Sequence, residues 1–141
     1  MVELKIAIDY DGTITAHPEF FRTLYYAWRD ATMMSPIILT ARMEHTERAS
    51  TLTELAAVGI YETFVYGVSN LHMYPHTYEF PYRSVYDEQF SRARHALWKA
   101  QKCKELDVTV LIDDCEHNTK ACQQAGILVL QVKPPLQFVT F

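Results

Sequence analysis

Five short, predominantly apolar runs punctuate the chain: LKIAID at 4–9, SPIILT at 35–40, YETFVYGV at 61–68, VTVLID at 108–113 and ILVLQV at 127–132. Each is rich in β-branched residues and bounded by polar positions, the pattern of a strand buried on two faces. Between them the hydrophobic period lengthens. In 17–34, Phe21, Leu24, Trp28 and Ala31 recur at helical spacing behind Pro18, a residue suited to a first helical turn. The stretch 44–59 repeats the pattern with Ala49, Leu52 and Ala56, and Gly59 is placed to end it. A third helix is predicted over 87–107 through Phe90, Ala93, Leu97 and Ala100, and a short one over 116–125 closes at Gly126.

Strands that alternate with helices predict right-handed crossovers and a parallel sheet covered on both faces. The expected fold is α/β: a Rossmann-like three-layer α/β/α sandwich around a five-stranded parallel sheet, in one domain spanning 1–141. One segment breaks the rhythm. Ser69 to Tyr86, SNLHMYPHTYEFPYRSVY, is aromatic, proline-bearing and without period, and is expected to be a long functional loop or a small insertion. Its His72, Tyr74, His76, Tyr78 and Tyr82 could stack on a base, although packing a loop onto its own domain is the commoner use of such residues. The tail PPLQFVTF is left to dock on the core or to meet a second copy.

Composition narrows the function classes. A chain of 141 residues with 49% hydrophobic content can bury one substantial core. There is no basic region ahead of an apolar run and no apolar stretch of membrane-spanning length, so a cytoplasmic location without membrane association is expected. Cys103, Cys115 and Cys122 are odd in number and form no CxxC pair, which argues against a disulfide framework and a zinc site. His17, His45, His95 and His117 have no metal-ligand spacing and are expected to be surface or satisfied polar groups. A net charge of -4 with interspersed signs excludes a basic stripe for duplex nucleic acid but leaves room for a locally bound phosphate.

The candidate chemistry sits at strand ends. Ligands of open α/β sheets lie beyond the carboxyl ends of the strands. There the first run ends in Asp9 and Asp11, the second in Thr40 with Arg42 close by, and the fourth in Asp113 and Asp114. Uncompensated, such carboxylates repel one another or take up protons. A hard divalent ion such as Mg²⁺ resolves the conflict and takes a substrate phosphate into its shell. Asp9 could then attack phosphorus while Asp11 handles the leaving group's proton, with Gly12 letting the backbone turn closely beneath the phosphoryl group. Arg42 either contacts a substrate phosphate or pairs with Glu44 or Glu47.

With these residues the chain resembles the haloacid dehalogenase superfamily of phosphohydrolases. Asp9, Asp11, Gly12 and Thr13 match its DxDGT motif, Thr40 its second strand end, and Asp113 and Asp114 its terminal acidic pair. The family also places a lysine ahead of the last strand. Lys99, Lys102 and Lys104 compete for that place, and the WKAQKCKELD stretch favours Lys99, although helical position alone does not exclude Lys102. The resemblance implies that Asp9 forms an aspartyl phosphate and that Asp11 is the acid/base and lends a backbone carbonyl to Mg²⁺. It further implies that Thr40 and Lys99 hold phosphoryl oxygens, with Gly12, Thr13 and Arg42 beside the substrate, and that Asp113 or Asp114 completes the metal shell. An aspartate at position 11 favours a phosphatase over dehalogenases, which lack that acid, and transport ATPases, which carry threonine there. Little chain separates Thr15 from the first helix, so no sizeable cap fits there, and 69–86 could serve as a minimal cover.

The expected partner is a phosphorylated substrate, with a small molecule or nucleotide foremost and a polynucleotide end also open; oligomeric state stays open. The alternative is a non-catalytic module that binds a phosphorylated ligand on the same scaffold. A phosphorelay receiver domain shares the acid, hydroxyl and lysine inventory but needs its phosphoryl-accepting aspartate on a middle strand, where IILT and YETFVYGV supply none.

Overall fold

The computed structural model describes residues 4–61, 65–68, 87–134 and 136–140, with the side chains of 68 and 87–94 also outside the description. The segment 69–86, with His72, Tyr74, His76, Tyr78 and Tyr82, lies outside the described residues, as do the side chains of Phe90 and Ala93.

The described strands are β1 (Ile6–Ile8), β2 (Ile37–Met43), β3 (Val65–Val68), β4 (Val110–Asp113), β5 (Leu128–Lys133) and β6 (Gln137–Thr140). The helices are α1 (Pro18–Thr32), α2 (Glu44–Ala57), α3 (Asp87–Glu105) and α4 (Glu116–Gln124). Strand order across the sheet is β3-β2-β1-β4-β5-β6. The first five are parallel and β6 is antiparallel to β5, with Val139 opposite Gln131 and Phe138 opposite Val132. The expectation of a five-stranded, wholly parallel sheet is corrected here: the tail adds a sixth, antiparallel strand. Three residues separate Lys133 from Gln137, and so short a connection suffices because antiparallel neighbours need no crossover helix. Phe138 meets Phe20 of α1 with ring centroids 5.5 Å apart.

Alternation along the strands sorts side chains to two faces. Ile8, Ile38, Val65, Ile112 and Val132 pack with Phe21 and Tyr25 of α1 and Leu55 of α2. Ala7, Leu39, Leu111 and Val129 pack with Ala96, Trp98 and Cys103 of α3 and Ala121 and Cys122 of α4. The sheet is therefore covered by helices on both faces, in keeping with a Rossmann-like arrangement.

The helical stripes are partly displaced from expectation. Ala31 and Ala49 are exposed, and α2 buries Thr51 and Leu55 instead of centring on Leu52. Small alanines gain little from burial, so the larger neighbours set the rotation of each helix. No helix among the described residues is long and apolar enough to cross a membrane.

Ending the chain after Leu136 would strip β5 of its antiparallel partner and leave an unpaired strand edge. The shortened protein is expected to melt a few degrees lower, the shift that about 1 kcal/mol produces in a domain of this size, and to scatter light at high concentration. An unchanged melt would show that β6 adds nothing to the sheet.

Candidate active site

The direction of strand addition reverses between β1 and β4, which makes their carboxyl ends the natural crevice of the sheet. Ile8 lies opposite Ile112, and the next residue on each strand is an aspartate, Asp9 or Asp113. The Asp9 N–H extends the ladder by donating to the Ile112 carbonyl at 2.9 Å. Since Ile8 and Ile112 face α1 and α2, alternation turns Asp9 and Asp113 toward the α3 layer, in line with Ala7 and Leu111.

From α3, Lys99 fills the space between them. Its Nζ donates to Asp9 Oδ1 at 2.8 Å and to Asp113 Oδ2 at 2.7 Å. Lys99 and Asp113 are 0% exposed and Asp9 is 5% exposed. Burial by itself pushes the lysine's pKa down, but the charges of Asp113 and Asp9 outweigh it and hold the ammonium protonated. Asp9 is raised well above the ordinary carboxyl value, first by burial and then by the Asp113 charge, and Lys99 offsets only part of this. Lys102 instead pairs with Glu105 at 3.5 Å and sits 5.4 Å from the Tyr66 ring centroid, and Lys104 is exposed. Of the three candidate lysines, Lys99 is the one that meets the aspartates.

Asp114 joins through Thr13. The Thr13 hydroxyl lies 3.0 Å from Asp9 Oδ2 and 3.1 Å from Asp114 Oδ1, and it accepts the Asp114 N–H at 3.1 Å. A hydroxyl has one proton to give, so Thr13 can donate to only one of those two carboxylate oxygens at a time. Asp113 is better served: Oδ1 accepts the Cys115 N–H at 2.8 Å, and Oδ2 also accepts Asn118 Nδ2 at 3.1 Å. Gly12, at φ +80°, allows the close approach of Asp114, since a Cβ there would fall 2.3 Å from Asp114 Oδ2.

Oxygens of Asp9, Asp113 and Asp114 lie within 4.8 Å of one another. Three carboxylates against one ammonium, with no sulfur or nitrogen ligand in the set, suit a hard divalent cation.

Beside this cluster opens a cavity of about 470 Å³ lined by Asp9, Asp11, Ala41, His95, Asp114, Cys115 and Asn118. His95 was expected to be a surface or satisfied polar group. It is half-buried, lines the cavity and stands one helical turn before Lys99, a spacing visible in the sequence. Cys115 reaches the same cavity, but burial raises its thiol pKa, which makes it the poorer nucleophile. A second cavity of about 400 Å³ lies at the opposite edge between Trp28, Met33, Ile37 and Leu106, and no carboxylate is among its described lining residues.

Thr40 is buried and accepts the Arg42 N–H at 3.1 Å; Ala41, the next residue, is the one that lines the cavity. β2 does not end at Thr40 but runs on to Met43, with a register shift against β3 between Leu39 and Met43. Arg42, on that irregular stretch, does not pair with Glu44 or Glu47. Glu44 pairs with Arg48, and Glu47 accepts the Met43 N–H. Arg42 grips Asp11 through Nε at 2.8 Å and Nη2 at 2.9 Å, and also pairs with Glu54. Sequence reasoning missed Glu54 because its partner lies twelve positions away across a strand-to-helix turn, outside any helical spacing.

Chemically, the arrangement offers a buried carboxylate held by a lysine, a hard-cation donor set, and a second carboxylate at the mouth of one cavity. Compared with family models, with curated proteins and with solved structures, the chain matches none. The functional reading therefore rests on this geometry.

Two substitutions test the electrostatics. Lys99→Met leaves two buried carboxylates without a counter-charge and is expected to cost on the order of 3–5 kcal/mol in urea unfolding. Asp9→Asn acts oppositely: the amide oxygen still accepts from Lys99, the amide nitrogen donates to Thr13, and the Thr13 proton is freed for Asp114. In EDTA this variant should melt higher than the wild type. Because the native Asp9 pKa lies above its unfolded value of 3.8, the native state binds more protons between the two, and wild-type stability falls as pH rises through that window. Asp9→Asn should flatten that slope in melts across pH; a steeper slope would contradict the assignment.

Proposed function

We propose that the protein is a Mg²⁺-dependent phosphomonoester hydrolase of the haloacid dehalogenase type. The observation that carries the reading is the Lys99 bridge between Asp9 and Asp113 at the crevice of the sheet, with Asp114 drawn in through Thr13. The residues present fit Mg²⁺ for the reasons of charge and donor chemistry given above: Asp9, the backbone carbonyl of Asp11, and Asp113 or Asp114 would hold it. Bound there, it would neutralise the charge between the carboxylates and the phosphoryl group.

The chain's own groups divide the reaction. Lys99 occupies Asp9 Oδ1, which leaves Oδ2, beside the Thr13 hydroxyl, as the attacking oxygen. Attack on phosphorus breaks the bond to the ester oxygen and forms an aspartyl phosphate; the leaving alkoxide takes the proton of Asp11, which enters this step in its acid form with one oxygen turned from Arg42 to donate. Water then attacks the same phosphorus, Asp11 accepts its proton, and Asp9 is released together with inorganic phosphate. Lys99 has three N–H donors, two of them on carboxylates, so a third remains for a phosphoryl oxygen. Thr40 uses its oxygen to accept the Arg42 N–H and keeps its own proton to donate. Phosphorylated small molecules and nucleotides are the substrates to try first, followed by polynucleotide ends.

A panel of phosphomonoesters tests this directly. Phosphate release is expected in Mg²⁺ and not in EDTA, abolished by Asp9→Asn and slowed roughly 10²–10⁴-fold by Asp11→Asn. Mg²⁺ should also raise the melting temperature, by the equivalent of about 2.7 kcal/mol at a hundredfold excess over Kd. A chain that binds phosphorylated ligands with Mg²⁺ but releases phosphate from none would instead be a binding module.

A further inference from the structure

We propose that Arg42 and Glu54 are positioning residues that hold the Asp11 carboxylate at the mouth of the site, an inference that rests on the phosphatase reading. Asp11 lies just past the end of β1 in extended backbone (φ -69°, ψ 126°), directly before the left-handed Gly12. Its side chain is 56% exposed. Neither a strand nor a regular helix fixes such a carboxylate, yet acid/base work requires it to stay in one place relative to Asp9.

Arg42 supplies the restraint. A guanidinium has five N–H donors, and Arg42 makes five bonds: two to Asp11, two to Glu54 and one to Thr51 Oγ1 at 3.3 Å. The Thr51 proton is given to the Glu47 carbonyl at 2.9 Å, so Thr51 acts toward Arg42 as an acceptor. The Arg42 Cζ also stands 4.8 Å from the Tyr10 ring centroid. With its donors matched, Arg42 could clamp a substrate phosphate only by releasing Asp11, Glu54 or Thr51. Thr51 and Glu54 stand three residues apart on α2, so both meet Arg42 from one helix face. The restraint thus runs from α2 through the end of β2 to the turn after β1.

The two pairs are partly exposed, and such pairs add little to stability, so variants at Glu54 should fold. Kinetics with Mg²⁺ and 4-nitrophenyl phosphate read out the role. Glu54→Ala is expected to lower kcat roughly ten- to hundred-fold, with KM changed no more than about threefold, as a loosened catalytic group would. Glu54→Gln, which keeps the shape and an acceptor oxygen, should recover part of the loss. In an Asp11→Asn background Glu54→Ala should have no further effect, because Glu54 acts only through Asp11. The Arg42 Nε–H gives a readout apart from activity: its NMR signal should exchange slowly in the wild type and quickly in Asp11→Asn and Glu54→Ala.

A higher KM at unchanged kcat would make Arg42 a substrate clamp and overturn the proposal. Equal losses with and without Asp11 would do the same by making Glu54 a merely structural residue. An active wild type with a fast-exchanging Arg42 Nε–H removes the positioning role alone. A wild type inert toward every phosphomonoester removes the phosphatase reading and this role with it.

Discussion

A protonated lysine buried between two aspartates is the constraint around which the described structure is arranged. Lys99 joins one helix to the two central strands, and neither an unpaired ammonium nor the unpaired carboxylates could stay ionised in that core. The bridge therefore fixes how far α3 descends onto the sheet. It also explains why α3 is buried at Ala96, Trp98, Ala100 and Cys103 as well as at Lys99. A helix that must deliver a charge to the centre of a sheet has to bring its apolar neighbours with it.

The bridge is deliberately incomplete as a charge balance. Asp9, Asp113 and Asp114 outnumber Lys99, and Thr13 has one proton for two oxygens. Burial first, and the Asp113 charge second, raise the Asp9 pKa, the mark of a group strained by its surroundings. Asp113 differs from Asp9 in its donors, receiving Lys99 Nζ, the Cys115 N–H and Asn118 Nδ2. The two residues are alike in sequence context and unlike in surroundings: Asp9 lines a cavity, and Asp113 accepts the N–H of Cys115 at the start of α4.

The acidic residue outside the core is controlled by different means. Asp11 lacks both burial and regular backbone, and its restraint comes from Arg42 on the neighbouring strand and from α2 behind it. A rigid centre and a braced rim are thus built from separate interactions: one buried and strong, the other exposed and adjustable.

Much of this was legible in the chain. Apolar runs ending in Asp9 and Asp113 predicted parallel strands with acids at their carboxyl ends, because strand period and burial are local properties written residue by residue. The order of motifs was enough to bring Asp9, Asp11, Thr40, Lys99, Asp113 and Asp114 to attention. Tertiary structure alone decided the rest. It placed Lys99, the lysine favoured by the sequence, between the aspartates and turned Lys102 to Glu105, since only register and helix docking say which lysine points at the sheet. It turned Arg42 toward Asp11 and Glu54, brought His95 to the cavity, and folded the tail back as β6 beside β5. Each of these depends on distances between residues far apart in sequence, which are set by how layers pack and not by any local pattern.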